Sequence, residues 1–147
     1  MLIGLDARLT PDLLDCLMRM GHGDEIAVVD ANFPAASVAV DSYLGKPVVM
    51  AGLDAPEVIG LIAALMPLDG FADHCALRME IDDAPEALGP VHEEAFDIVS
   101  RAMPEGAHLG AIPRRDFYPR ARQAFAVVAT SEARPYGCFI LRKGVIL

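Results

Sequence analysis

His22 lies between Gly21 and Gly23, and Asp30 closes an apolar run eight positions later. Imidazole is the side chain whose ordinary pKa falls in the neutral range, so it can both take and give a proton there. A carboxylate can orient that ring, or accept hydrogen bonds from the hydroxyls of a polyol. From Asp24 onward the residues alternate, with Asp24, Ile26, Val28 and Asp30 on one face and Glu25, Ala27, Val29 and Ala31 on the other. That period of two predicts a strand. Asp30 is then delivered at a strand end, where α/β folds hold their ligands. The same segment also reads as a helix stop at Gly21, a solvated His22 and an Asp30 that opens a turn.

Arg114, Tyr118 and Tyr136 fall at predicted loop or element ends and suit the same chemistry, because a phenol stacks on a sugar face and hydrogen-bonds a hydroxyl. Each has a plainer reading, as a solvated charge or a half-buried tyrosine with a satisfied hydroxyl. Ser37 and Asp41 lie on the loop after the first strand. Cys16, Cys75 and Cys138 are odd in number and far apart, which fits reduced thiols and gives no zinc spacing. The chain carries no phosphate-binding glycine loop, nucleophile elbow, metal-ligand cluster or dinucleotide fingerprint. An enzyme built from it must run on proton transfer, with no cofactor.

These residues need elements to position them. Thr10-Pro11-Asp12 predicts a helix start, with an apolar stripe of Leu13, Leu14, Leu17 and Met18. Strands are predicted at 26–29, 47–51, 75–80, 108–112, 125–130 and 139–141, the fifth buried on both faces. Residues 31–45 read as a loop. Further helices are expected from Asp54 to before Pro67, from Pro90 with His92 on its solvated side, and over 116–124 with Pro119 in the first turn. Four helices among about six strands give one layered α/β/α domain over 1–147 with a mixed sheet.

The 54% hydrophobic content stands above the usual level of roughly 45–50%, which burial between subunits would explain. The longest apolar run, 58–66, is far short of the ~20 residues of a membrane span. The first residues lack the features of a signal peptide, so a cytoplasmic protein is expected. A net charge of −9 argues against nucleic-acid binding, although Arg114, Arg115, Arg120 and Arg122 could form a local basic patch.

The segment 21–37, GHGDEIAVVDANFPAAS, resembles the signature of the D-ribose pyranase and L-fucose mutarotase family, and its fucose branch in particular. Phe117-Tyr118 with Arg120-Ala121, AFAVVAT at 124–130, and Tyr136-Gly137 with ILRKGV at 140–145 are similar to that branch as well. The likeness is weakest over 69–107. It implies a cytoplasmic, cofactor-free isomerase that interconverts the α and β anomers of a monosaccharide and assembles as a ring-like homo-oligomer, commonly a decamer. By this resemblance His22 is the catalytic histidine and Asp30 the substrate-binding aspartate. Arg114 matches the binding arginine four residues before the tyrosine, Tyr118, and Tyr136-Gly137 the C-terminal binding loop. Cys138 stands where the family pattern has asparagine, Ser131 replaces a glycine and Pro119 a glutamate. A thiol hydrogen-bonds weakly, so Cys138 bears on which sugar is preferred. The alternatives are an accessory sugar-binding protein without catalysis and an interaction scaffold without a ligand.

Overall fold

The central strands are near-continuous apolar runs, as in IAVV at 26–29 and AVVA at 126–129, so a sheet built from them must be covered on both faces. The computed structural model describes residues 2–147 and has this layered form. Strands β1 (Glu25–Val29), β2 (Val48–Met50), β3 (Ala76–Met79), β4 (Leu109–Ile112), β5 (Ala126–Thr130) and β6 (Phe139–Arg142) form one sheet in the order β2-β5-β1-β6-β3-β4. β1 pairs parallel with β5, β2 with β5, and β3 with β4, whereas β6 runs antiparallel to both β1 and β3. Five strands therefore share a direction. Their carboxyl ends lie along one edge of the sheet, together with the start of β6.

Helices α1 (Pro11–Arg19), α3 (Ala55–Ala63) and α4 (Pro90–Ala102) cover one face, where Leu13, Val58 and Val91 pack with Ile26, Val28 and Leu141. Helices α2 (Ala35–Ala39) and α5 (Arg114–Gln123) cover the other, where Val38 and Phe117 pack with Ala27, Val29 and Ile140. Fully buried Phe117 contributes roughly 1.5–3 kcal/mol by leaving water. The six expected strands and the α/β/α layering are present. The cap signals also hold: Thr10 accepts from the Leu13 N–H at 3.2 Å, and Asp54 with Glu57 forms a capping box at the start of α3.

Three local expectations are corrected. Within 31–45 a single helical turn, α2, forms without a side-chain cap, held by its apolar contacts with β5 and α5. α5 begins at Arg114, so Pro119 lies inside it rather than in its first turn. His92 is fully buried, not solvated, because its ring serves the start of α4 and the loop before β6.

Candidate functional site

The strand directions gather four separate segments at the carboxyl edge of the sheet. Asp30 follows β1, Met79 ends β3, Arg114 begins α5 after β4, and Tyr136 with Cys138 precedes β6. A cavity of about 300 Å³ opens among them, with Asp30, Arg114, Tyr118, Tyr136 and Cys138 all in its wall. Sequence reasoning had not found Asn32, Phe33, Met79, Asp82 and Pro135, which complete that wall.

Each polar group is held by its own local geometry. Asp30 is buried, and its Oδ1 accepts the N–H groups of Asn32 and Phe33, both at 3.0 Å. Asp30 thus opens a turn and lines a cavity at once, so its two placements read from the sequence coexist. Arg114 donates from Nε to Asp82 Oδ2 at 2.7 Å, which fixes an exposed guanidinium at the rim. Tyr118 stacks on Phe33 with ring centres 4.9 Å apart, leaving a flat aromatic wall. Cys138 is buried and its Sγ accepts the Asp30 N–H at 3.5 Å. Burial, reinforced by the negative charge of Asp30, pushes the Cys138 thiol well above its ordinary pKa and keeps it protonated.

His22 is elsewhere. It precedes β1 while Asp30 follows it, and the four steps of about 3.3 Å along that strand alone separate them by at least about 13 Å. Its partner is Asp69, with Nε2 and Oδ1 3.4 Å apart. Asp69 is almost completely buried and also accepts from the Phe71 N–H at 2.9 Å and from Arg142 Nε at 2.9 Å. Burial alone would raise the Asp69 carboxyl, but the Phe71 N–H, the Arg142 guanidinium and His22 outweigh it and hold it below the ordinary carboxylate range. Arg142 lies 3.5 Å from Glu25, whose carboxylate accepts two bonds from Arg120 at 2.9 and 2.6 Å. Gly23 is required here, since its φ is +87° and a Cβ would lie 3.2 Å from Arg142 Nη2. The amino edge of the sheet therefore carries a carboxylate-oriented histidine. Asp69 was missed because it is 47 positions from His22, and only the fold brings them together.

Other expectations resolve simply. Gly137 is buried and does not line the cavity; a Cβ there would lie 2.7 Å from Glu132 Cγ. Ser37 bonds the Pro34 carbonyl, and Asp41 pairs with Arg122, both away from the cavity. Arg114, Arg115, Arg120 and Arg122 each face a carboxylate, so the local basic patch is neutralised. Among the described residues no helix is long and apolar enough to cross a membrane.

Fold and cavity together define a three-layer α/β protein with a tyrosine-walled pocket, flanked by Asp30, Asp82 and Arg114, at the carboxyl edge of its sheet. The chain belongs to the RbsD / FucU transport protein family, whose model matches residues 4–146. It is 44% identical over 147 residues to human fucose mutarotase, covering 97% of this chain and 93% of that protein. It is 36% identical to an L-fucose mutarotase of Haemophilus influenzae, covering 99% and 97%. The crystal structure of the Streptococcus pneumoniae fucose mutarotase in complex with L-fucose superposes with a TM-score of 0.85 at 32% identity, covering 99% of this chain and 100% of that one.

Proposed function

We propose that this chain is a mutarotase that interconverts the α and β anomers of L-fucose or a related aldose. The observation that carries the reading is the cavity in which Asp30, Arg114, Tyr118 and Tyr136 converge from separate segments, in a chain whose relatives are fucose mutarotases. Ring opening removes the proton of the anomeric hydroxyl, breaks the bond from C1 to the ring oxygen and protonates that oxygen. Rotation of the aldehyde and reclosure deliver the other anomer. General acid–base help contributes roughly 10²–10⁴-fold, which matters for a reaction that already proceeds unaided. Asp30 accepts from sugar hydroxyls, Tyr118 and Tyr136 hold the ring, and Arg114 binds a further oxygen at the rim.

His22 is the acid–base group in this proposal, and it cannot reach the pocket of its own chain. A homo-oligomer that sets the amino edge of one copy against the carboxyl edge of the next brings them together. Two features support this: His22 is 48% exposed, and Phe71, in edge contact with it at 5.9 Å, is 70% exposed. A ring, a decamer by family resemblance, and residence in the cytoplasm belong to the same proposal. The separation of His22 from the pocket also favours a second reading, an accessory sugar-binding protein without catalysis. Exchange NMR on the α and β signals of several aldoses decides between them. Accelerated exchange that His22→Ala abolishes, with sugar binding kept, supports the mutarotase; binding without any acceleration supports the accessory protein and overturns it.

A further inference from the structure

Among the described residues, Tyr136 is one of two non-glycine residues with positive φ, at 61°. A residue with a side chain stays in that region only when its surroundings enforce it. Its neighbours in the loop are strongly tied. The Glu132 carboxylate accepts from Arg134 at 2.8 Å and from the Ala55 N–H that starts α3 at 3.3 Å, while the Glu132 carbonyl accepts from the Ala31 N–H at 2.8 Å. At Tyr136 itself the tie is different: the carbonyl accepts from His92 Nε2 at 2.9 Å. The ring's other nitrogen, Nδ1, accepts the Gly89 N–H at 3.1 Å. The two bonds together require a neutral ring with its proton on Nε2. Burial holds this imidazole below its ordinary pKa, opposed by the Tyr136 bond and aided by the charge of Arg78. The ring is wholly buried against Phe139 and does not line the cavity.

We propose that His92 is a positioning residue for the pocket: by donating from Nε2 to the Tyr136 carbonyl, it holds Tyr136 in the left-handed conformation that places it in the cavity wall. The inference rests on the reading of that cavity as a monosaccharide site. At the third position of α4, glutamine can reproduce both bonds, accepting from Gly89 and donating to Tyr136, whereas methionine fills the space and can do neither.

The experiment titrates wild type, His92→Gln and His92→Met with L-fucose, and follows the backbone carbon chemical shifts of Tyr136 in each. His92→Gln is expected to bind within about twofold of wild type. His92→Met is expected to bind about tenfold more weakly, the ratio that about 1.4 kcal/mol supports, with Tyr136 shifts moved away from left-handed values. Equal affinity and unchanged shifts in His92→Met overturn the proposal, as does a His92→Gln variant as weak as His92→Met. If His92→Met does not fold, the smaller His92→Ala carries its expectations, since it too removes the donor to Tyr136. If wild type binds no fucose, the sugar-site reading fails on its own, and the Tyr136 shifts across the same variants still decide the role of His92.

Discussion

Cys138 and Asp69 show how single side chains set the character of each edge. The Cys138 thiol is a weak acceptor for the Asp30 N–H at the base of the cavity. An amide in its place accepts that bond more strongly and presents a donor to the sugar. Cys138→Asn is therefore expected to raise affinity for L-fucose about two- to tenfold, from a neutral hydrogen bond of about 0.5–1.5 kcal/mol, and to raise it less for D-ribose. Titration of both variants with both sugars checks this, and equal affinities would mean that position 138 has no part in choosing the substrate. Asp69 acts on stability as well. Its folded pKa is depressed, so its contribution is fully present above the unfolded value near 3.8 and is lost as pH falls through the folded one. Asp69→Asn is expected to cost about 2 kcal/mol at pH 7, through loss of charge-assisted bonds. Urea midpoints measured against pH should show that deficit shrinking below about pH 4; a deficit independent of pH would contradict the assignment.

Helix α5 carries both Arg114 and Tyr118, and it does so with Pro119 in its interior. Proline there removes one helical hydrogen bond and crowds the preceding turn. Pro119→Ala restores the donor, and the greater freedom of the unfolded chain offsets part of the gain. The expected result is stabilisation by about 1–2 kcal/mol, read as a higher unfolding midpoint; an unchanged or lower midpoint would show that α5 is built around the proline. Elements of this length were legible in the sequence wherever periodicity or a cap announced them, as with Thr10-Pro11 or the run from Phe125 to Thr130. Helix α2 was not, because five residues without a side-chain cap carry no signal beyond their apolar contacts. Asp30, Arg114 and Tyr136 were legible because strand and helix ends in an α/β layer converge on one edge, whereas Tyr118, expected at an element end, lies inside α5 one turn beyond Arg114. The distance of His22 from them was not, since eight residues of chain look short until a straight strand occupies most of them.

At the scale of the whole molecule, the sheet separates the two halves of the proposed chemistry. The carboxyl edge holds the pocket and the amino edge holds His22 with Asp69 and Arg142. An association that repeats edge to edge is heterologous and closes into a ring when its rotation allows. Sedimentation at micromolar concentration should then give an oligomer; a monomer mass would contradict the assembly. Mixing two inactive proteins tests more. His22→Ala retains an intact pocket and Asp30→Ala retains an intact histidine edge, so each alone should fail to accelerate anomer exchange. Copurified from one cell in equal amounts, they form mixed rings in which each site draws its histidine from one copy and its pocket from the next. Random placement leaves about a quarter of the sites with both wild-type parts, so about a quarter of the wild-type exchange rate should return. If His22 and Asp30 had to come from the same chain, no mixed site would be whole. Activity no higher in the mixture than in either variant alone would therefore overturn the shared site, even if the oligomer itself is present.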